Sequence, residues 1–385
     1  MIKVSSDVVI IGGGIVGISI AYHLAKKGCS NVIVLEKERL IGAGSTSKGA
    51  GGIRQQFSSE INIRLSMESV KIFEQLADEI GCKDLFYQNG YLFLLSTEEE
   101  MESFKKNVVL QRDMGLEVDI LSPGDVKSMI PFVNTDDLLG ATFCGTDGYA
   151  DTDGVLQGFA REAKRLGAEI YLQTEVEGIE VKNGKVCRVK TGRGDIETHM
   201  LINAAGPYSA IIGKMAGIDL PVRPFRRQIF ITESMSFIPD SMPMVIDFHA
   251  RFYCRKESGG LLMGGGEKKE PSSFDTNVDW DSLEILVEKG IHRIPAIKDA
   301  KIKRGWAGLY SITPDFNPIL GRVPRVEGFI CAVGFSGHGF MHSPVAGKLI
   351  SELIIDGEAS TIDISPLSIN RFEEKDKIVP EQNVI

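Results

Sequence analysis

The chain has 385 residues, a formal net charge of −9 at pH 7 and 43% hydrophobic residues. This length exceeds what one hydrophobic core usually supports, so about two domains are expected. The acidic balance disfavours a nucleic-acid partner, which would select a basic surface. The six cysteines form no CxxC pair, which favours reduced thiols over a disulfide framework. No membrane span or signal peptide is expected, and these features together predict a cytoplasmic protein.

The first motif begins with an apolar run at Asp7–Ile11, which is typical of a buried parallel strand. Gly12, Gly14 and Gly17 follow in the G-x-G-x-x-G spacing, and residues of helical period continue up to Gly28. A second predicted strand, NVIVLEKE, then carries Glu36. Strand, glycine triplet, helix, strand and acid therefore occur in the order of a dinucleotide-binding unit.

Each part of this unit has a mechanical role in holding a dinucleotide. Gly12 makes the tight turn, Gly14 lets the backbone reach a pyrophosphate, and Gly17 allows the helix to pack on the strand. The helix N-terminus favours the phosphate charge, and Glu36 accepts a hydrogen bond from a ribose hydroxyl. The alternative is a glycine-rich turn that binds nothing.

A second glycine-rich loop, GAGSTSKGAGGIRQQF, occupies residues 42–57 directly after the strand with the acid. An NAD-binding domain usually continues there to its next helix, whereas FAD needs a second channel for its ribityl chain and ring. At this loop the chain resembles the D-amino-acid-oxidase-like FAD-dependent amine oxidoreductases. The branch in question contains sarcosine oxidase, glycine oxidase and dimethylglycine dehydrogenase.

The resemblance covers nearly the whole chain. It includes residues 174–209, which end in INAAGPYS, as well as WAGLYSITPDFNPILG at 306–321 and GFSGHGF at 334–340. The segments GIRQQF, GYLFLL and GFSGHGFM resemble most closely the β subunit of heteromeric sarcosine oxidases and of dye-linked L-proline dehydrogenases. The resemblance implies an α/β fold, with a discontinuous Rossmann-type FAD-binding domain of the glutathione-reductase-like kind and an antiparallel α+β substrate domain.

The predicted domain boundaries follow from this resemblance. The FAD-binding domain takes residues 1–85, 145–220 and 322–370, and the substrate-binding domain takes residues 86–144 and 221–321. The charged tail at 371–385 is expected to fray or to contact a partner.

Local patterns predict several elements of the substrate domain. Thr97 and Glu100 form a capping box at the start of a helix over 97–114. A hairpin is expected around Glu257–Gly260, where Ser-Gly-Gly supplies positive φ angles. Strands are expected over residues 85–96, 225–233, 250–260 and 261–266.

The cofactor is predicted to be FAD, bound without a covalent link. Simple sarcosine oxidases tether FAD through a cysteine, and Gly308 stands at that position here. Relatives also bring the Val176 backbone to the adenine. The predicted FAD contacts are Gly12, Gly14, Ile15, Val16, Gly17, Glu36, Lys37, Gly44, Ser45, Thr46, Gly49, Gly51, Gly52, Ile53, Val176, Ala204, Ala205, Gly206, Gly308, Gly334, Ser336, Gly337, Gly339, Phe340 and Met341.

The late segment Gly334–Phe340 is expected to cap the flavin. It precedes a predicted helix, whose N-terminus carries about half a positive charge and several unpaired N–H groups. Gly337 and Gly339 let the backbone approach the ring without Cβ clashes. The resemblance therefore implies that this segment stabilises the negative charge of reduced flavin.

Arg54 is the leading candidate for the active site, because relatives place an arginine near the flavin and the substrate carboxylate. A guanidinium fork suits a carboxylate, although Arg54 could instead pair with Glu60 or another acid to brace its loop. Tyr253 and Arg255 alternate along one strand and so face the same side. Relatives use a tyrosine there to enclose the substrate, whereas Arg255 could equally form a structural ion pair.

Two further candidates for the catalytic site lie near the C-terminal signatures. Tyr310 falls where some glycine-oxidising relatives have an arginine, and it either contacts a carboxylate or packs in the core. His338 either hydrogen-bonds near the flavin or substrate or has a structural role. A metal site at His338 and His342 is not expected, because the motif offers no third ligand.

These assignments predict oxidation of a secondary or N-methylated amino acid, of the L-proline or sarcosine type. Hydride passes from the α-carbon or the N-methyl group to flavin N5. Met341 replaces a basic residue that helps oxygen to react in simple oxidases, which favours a dehydrogenase. The alternatives are a self-sufficient glycine or sarcosine oxidase that makes hydrogen peroxide, and a flavin-holding electron-transfer subunit with catalysis on a partner chain.

The resemblance also implies possible partners. An α-type flavoprotein subunit is expected, with a homo-oligomer as the alternative. In heterotetrameric sarcosine oxidases FMN is attached through a histidine of the β subunit, and Thr152 occupies that position here. FMN at a subunit interface is therefore expected only without a covalent link.

Overall fold

A computed structural model describes residues 2–265, 270–373 and 378–384 of the chain. Within these ranges the helices are α1 (Ile15–Lys26), α2 (Glu60–Glu74), α3 (Leu76–Ile80), α4 (Glu98–Asp113), α5 (Pro123–Met129), α6 (Thr152–Arg165), α7 (Ser209–Met215), α8 (Asp281–Arg293) and α9 (Gly339–Ile355). The strands of the same ranges are β1 (Val8–Ile11), β2 (Val32–Leu35), β3 (Gly52–Ile53), β4 (Phe86–Tyr87), β5 (Tyr91–Leu95), β6 (Asp119–Leu121), β7 (Gly140–Cys144), β8 (Gly148–Ala150), β9 (Glu169–Tyr171), β10 (Val176–Lys182), β11 (Lys185–Thr191), β12 (Ile196–Glu197), β13 (Leu201–Asn203), β14 (Arg223–Thr232), β15 (Met244–Asp247), β16 (Phe252–Glu257), β17 (Gly260–Gly265), β18 (Ile302–Ile312), β19 (Ile319–Arg322) and β20 (Phe329–Val333).

A six-stranded sheet in the order β19-β20-β13-β1-β2-β9 forms the centre of the first part of the fold. Its strands are parallel except for β19, which runs antiparallel along one edge. All four residues of β1 are buried, as the apolar run predicts. Helices α1 and α9 pack against each other so closely that a Cβ on Gly347 would lie 2.4 Å from Ser19 Oγ. The predicted α/β class is confirmed.

An eight-stranded sheet forms the second part, in the order β18-β14-β17-β16-β15-β5-β7-β6. Its neighbouring strands are antiparallel except for the parallel pair β15 and β5. Strands from residues 91–144 and 223–312 thus share one sheet, although a long stretch of the first part separates them in sequence. Two three-stranded sheets also occur among the described residues, β10-β11-β12 and β3-β8-β4, and the latter lies in the segments that connect the two parts. The domain boundaries remain a prediction.

The local predictions for the substrate domain are largely confirmed. Helix α4 begins with the predicted capping box, in which Thr97 and Glu100 exchange hydrogen bonds. Strands β16 and β17 form the hairpin, with Ser258 and Gly259 at φ values of 51° and 81°. The predicted strand over 85–96 is instead two strands in different sheets, because the chain turns at Gly90, where φ is 86°. Gly266, predicted to end a strand, lies outside the described residues.

The end of the chain differs in part from the expectation that it frays or contacts a partner. Glu381 and Asn383 are each only 1% exposed and pack against the chain itself. The Glu381 carboxylate accepts hydrogen bonds from the backbone N–H groups of Ser58 and Ser59, which precede α2. Fraying is therefore contradicted at Glu381 and Asn383, whereas a contact of the tail with a partner stays a prediction. None of the described helices combines the length and the apolar character that crossing a membrane requires.

Candidate active site

The turn between β1 and α1 brings the carboxyl ends of two parallel strands together. Gly12 follows β1 with φ at 113°, and a Cβ there would lie 2.4 Å from the carbonyl oxygen of Ala204, which follows β13. A Cβ on Gly17 would lie 2.0 Å from the carbonyl oxygen of Gly12. Both positions therefore require glycine, for the turn and for the approach of helix to strand.

Gly14 differs from these two glycines, since a Cβ there would meet only Thr46 Oγ1, at 3.4 Å. The backbone N–H groups of Gly14 and Val16 have no protein acceptor among the described residues, and the first turn of α1 holds no acidic residue. Glu36 lies beside this turn and accepts from the Gly13 N–H at 2.8 Å. The start of α1 thus offers free N–H groups and a positive helix end to an anion.

The second glycine-rich loop is tied to the first turn. Thr46 Oγ1 accepts a hydrogen bond from the Ile15 N–H at 3.1 Å. Ser45 Oγ donates to the carbonyl oxygen of Leu309 at 2.6 Å, which joins the loop to β18. Gly44 and Gly49 are exposed beside them. This loop therefore connects the start of α1 to the large sheet, as a channel for a long cofactor requires.

The loop continues into β3, where close packing requires small residues. A Cβ on Gly51 would lie 2.4 Å from the carbonyl oxygen of Ala150, and one on Gly52 would lie 2.3 Å from the hydroxyl of Tyr91. Ile53, the second residue of β3, is buried. Glycines at 51 and 52 hence let the chain pass close to β8 and to Tyr91 of the large sheet, and Arg54 follows directly after this segment.

The other predicted cofactor contacts on this side lie around the ends of β2, β9 and β13. Ala205 and Gly206 follow β13 next to Gly12, and Val176 is buried at the start of β10. The Lys37 ammonium lies 3.5 Å from the ring centre of Tyr208, a cation–π contact. These residues share the edge of the sheet at which the glycine turn lies.

The beginning of α9 forms a second helix N-terminus in the site. Gly334, Ser336 and Gly337 all have positive φ angles, of 73°, 50° and 96°. The backbone N–H groups of Gly339 and Phe340 have no acceptor among the described residues, and the first turn of α9 contains no acid. The side chains of Phe340 and Met341 instead pack into the core next to α2, so only their backbones remain available to a ligand.

Arg54 lies between these elements and is only 6% exposed. Its Nη1 donates to the carbonyl oxygen of Gln56 at 2.8 Å, and its Nη2 donates to the carbonyl oxygen of Asn383. The guanidinium stacks on Phe57 at 3.8 Å. It forms no ion pair with any carboxylate of the described residues, and Glu60, the predicted structural partner, pairs with Arg64 instead. Burial accordingly lowers the pKa of Arg54.

His338 is hydrogen-bonded to this arginine, with 3.2 Å between Arg54 Nη2 and His338 Nε2. A guanidinium can only donate, so Nε2 must accept and the proton lies on Nδ1. Burial and the charge of Arg54 hold the pKa of His338 well below its usual range. The imidazole is therefore neutral. His342 is buried behind it, 2.9 Å from Ser66 Oγ, and the described residues contain no group of three potential metal ligands.

Three tyrosines lie near one another, of which Tyr91 is buried and Tyr253 and Tyr310 are partly buried, and desolvation raises the pKa of each of them. A Cβ on Gly337 would lie 2.5 Å from the Tyr310 ring, which places Tyr310 directly against the start of α9. Tyr253 and Tyr91 project from β16 and β5 of the large sheet. All three phenols therefore remain protonated at neutral pH and can donate hydrogen bonds.

Two residues of this region were not predicted from the sequence. Tyr91 follows the turn glycine of GYLFLL, a segment that the resemblance had already singled out. Arg227 lies on β14 with its guanidinium 5.4 Å from the ring centre of Tyr310, and its buried Nε has no partner among the described residues. No sequence pattern near Arg227 predicts a role in the site, because only the pairing of β14 with β18 brings it close to Tyr310.

Arg255 is held by structural contacts. It forms an ion pair with Glu257 at 2.9 Å and donates to the carbonyl oxygen of Ala50 at 2.8 Å. Its guanidinium also lies 4.5 Å from the ring centre of Tyr149. These contacts favour the structural alternative for Arg255, which braces the glycine-rich loop. Gly308 lies close to the same loop, since a Cβ there would meet the Lys48 side chain at 2.6 Å.

The site therefore combines two helix N-termini with free N–H groups, two glycine-rich approaches and a group of aromatic side chains near the buried Arg54, with Arg227 next to Tyr310. A long anionic dinucleotide with a ring system fits this set, because its pyrophosphate suits α1 and an electron-rich ring edge suits α9. These features define an oxidoreductase with a Rossmann-type dinucleotide site. The chain belongs to the FAD dependent oxidoreductase family DAO, whose model matches residues 7–353.

Solved structures with the same fold include two enzymes acting on amino acids. The L-proline dehydrogenase from P. horikoshii superposes with a TM-score of 0.91 and 36% identity, over 97% of this chain and 99% of that chain. Glycine oxidase from Geobacillus kaustophilus gives a TM-score of 0.86 and 26% identity, over 96% of this chain and 99% of that chain. The expected resemblance is thus confirmed.

A curated relative, mitochondrial sarcosine dehydrogenase from Homo sapiens, is 32% identical over 96% of this chain. The chain spans only 41% of that protein. An FAD-dependent oxidoreductase domain-containing protein from Xenopus laevis is 32% identical over 99% of this chain and 85% of its own length. The chain is therefore an FAD-dependent oxidoreductase, and its cofactor prediction is confirmed for FAD.

Proposed function

We propose that this chain dehydrogenates a secondary or N-methylated amino acid of the L-proline or sarcosine type. FAD supplies the acceptor for the hydride that leaves the α-carbon or the N-methyl group. The chain's own residues bind the carboxylate, keep the amine oriented and exclude water. In this proposal Arg54 binds the substrate carboxylate, and the tyrosine hydroxyls line the rest of the pocket.

The observation that carries this proposal is that Arg54, although only 6% exposed, contacts no carboxylate directly among the described residues. Its described partners are two backbone carbonyls and a neutral imidazole, all uncharged. A buried cation without a charged partner is costly. A substrate carboxylate would supply the missing negative charge, and its two oxygens match the guanidinium fork.

The neutral state of the surrounding groups supports an amine substrate. Tyr253 and Tyr310 remain protonated, and His338 carries no charge near neutral pH. These three side chains can therefore form hydrogen bonds near Arg54, and none of the three is charged. The carbon–hydrogen bond next to nitrogen is activated by the nitrogen lone pair, so the amine must react in its neutral form.

Electron delivery to an acceptor other than oxygen is part of the proposal. Position 341 carries a methionine that is 6% exposed and packed in the core, where simple oxidases have a basic residue by resemblance. The curated and structural relatives include both dehydrogenases and an oxidase. We therefore propose a β-type subunit that passes electrons to an α-type flavoprotein partner, with FMN, if present, held at their interface and not covalently at Thr152.

Anaerobic mixing of the FAD-loaded chain with L-proline, sarcosine, dimethylglycine and glycine tests the substrate class. We expect L-proline or sarcosine to bleach the flavin absorbance fastest. Failure of all four to bleach it would refute the proposed substrate class. Readmitting oxygen then separates the alternatives, because turnover that yields hydrogen peroxide indicates the oxidase, whereas turnover only with an artificial dye supports the dehydrogenase.

A further inference from the structure

The segment Glu381–Val384 packs directly against the loop that carries Arg54. It lies 327 positions from that loop along the chain, counted from Gln56 to Asn383. Glu381 and Asn383 are both 1% exposed, whereas Gln382 between them is exposed. This alternation points two polar side chains inwards, and each of them is fully engaged in specific hydrogen bonds.

Glu381 anchors the segment at the start of α2. Its Oε1 accepts from the N–H and the hydroxyl of Ser58, at 2.8 and 2.6 Å. Its Oε2 accepts from the Ser59 hydroxyl at 2.7 Å and from Asn62 Nδ2 at 3.0 Å. A carboxylate at a helix N-terminus that accepts this many hydrogen bonds is strongly held. Burial alone would raise the pKa of Glu381, but these hydrogen bonds outweigh it, so the pKa is lowered.

Asn383 clamps the Arg54 loop from two sides. Its Nδ2 donates to the carbonyl oxygen of Gln56 at 3.1 Å, and its Oδ1 accepts from Asn107 Nδ2 at 3.2 Å. Its own carbonyl oxygen accepts from Arg54 Nη2. Gln56 O is also the acceptor for Arg54 Nη1. The guanidinium is thus fixed by two carbonyls, and Asn383 holds both of them in place.

We propose that Asn383 is a positioning residue for Arg54 and that the segment Glu381–Val384 completes the carboxylate-binding end of the substrate pocket. The inference rests on the proposed function of Arg54. With the segment in place, the guanidinium is held in one orientation before the substrate arrives, so less side-chain entropy is lost on binding. Without it, Arg54 gains freedom and the carboxylate binds less tightly.

The test compares Asn383→Ala with Gln382→Ala in the FAD-loaded full chain. Asn383→Ala removes both side-chain hydrogen bonds of the clamp, whereas Gln382→Ala changes an exposed neighbour and serves as the matched control. We expect KM for the amino acid to rise roughly 10- to 100-fold in Asn383→Ala with kcat changed far less, as for the loss of hydrogen bonds around a charged group. Gln382→Ala should match the wild type.

A second readout does not depend on turnover. Acetate is an unreactive carboxylate, and its dissociation constant can be measured from the shift that it causes in the flavin spectrum. Asn383→Ala should weaken acetate binding by the same factor as it raises KM. Glu381→Gln keeps one carbonyl acceptor and should give an intermediate effect, while a chain that ends after residue 378 should give the largest.

These readouts separate the inference from the proposed function. If no amino acid reduces the wild-type flavin, the proposed function fails, yet acetate binding still tests the clamp. If Asn383→Ala folds, retains FAD and binds acetate as the wild type does, the positioning role is overturned. It is also overturned if acetate binds more tightly, because the segment would then compete with carboxylates for Arg54.

Discussion

Replacing Gly14 with alanine separates cofactor binding from folding. Gly14 has φ at −76° and ψ at 176°, a conformation that alanine adopts without strain. The added Cβ would meet only Thr46 Oγ1, at the ordinary distance of 3.4 Å. The apoprotein should therefore fold as the wild type does, and its free energy of unfolding should change by less than about 1 kcal/mol, because the lower freedom of the unfolded chain is opposed by the poorer N-cap preference of alanine.

The same methyl group lies where the backbone must approach the pyrophosphate. Displacing the phosphate from the Gly14 N–H costs one hydrogen bond to a charged group, about 1.5–3 kcal/mol. FAD should accordingly bind about 10- to 150-fold more weakly. The assay strips FAD from the protein and titrates it back while flavin fluorescence is recorded, with thermal unfolding of the apoprotein as the check on folding.

Gly124→Ala is the matched control, since Gly124 also lies in the first turn of a helix and a Cβ there would meet only Ser122 Oγ, at 3.6 Å. This variant should leave FAD affinity unchanged. Gly12→Ala should instead impair folding, because its Cβ would lie 2.4 Å from Ala204 O. The reasoning is refuted if Gly14→Ala folds and binds FAD within about twofold of the wild type.

Three further substitutions test other parts of the account. Arg54→Lys keeps the charge but loses the fork, so kcat/KM for a carboxylate substrate should fall about tenfold or more, whereas the exposed control Arg64→Lys should not change it. Burial lowers the pKa of His342 to about 3 in the native protein. The unfolded chain therefore binds a proton at this residue more readily, and the free energy of unfolding decreases as the pH falls below about 6.5. Between pH 7 and 5 this decrease is about 2 kcal/mol, and His342→Gln should remove it from the pH dependence of thermal unfolding. Asp247→Asn removes the carboxylate charge that lies 2.8 Å from the buried Nε of Arg293, while Asp137 still pairs with that guanidinium, so it should lower the free energy of unfolding by about 1.5–3 kcal/mol; an unchanged urea midpoint would contradict that view of the pair.

Structural features formed by residues close together in the sequence could be predicted, because the interactions that determine them are local. The glycine turn at 12–17, the capping box of Thr97 and the hairpin at 257–260 each depend on residues a few positions apart. Backbone conformation and helix-end hydrogen bonding decide these features. The structure agrees with the sequence at each of them.

The partners of Arg54 could not be predicted in this way. The sequence suggested Glu60, six positions away, but the structure pairs Arg54 with His338 and with Asn383 from the other end of the chain. Arg227 reaches Tyr310 only because β14 and β18 pair in one register. Contacts of this kind depend on which strands and loops meet in the tertiary structure, and no local pattern encodes that choice.

The structure of the chain with FAD bound tests the central claim most directly. We expect the pyrophosphate at the backbone N–H groups of Gly14 and Val16, and the flavin ring at the start of α9 beside Gly337 and Arg54. A protein that takes up FAD elsewhere, or with the ring away from the start of α9, would contradict the account.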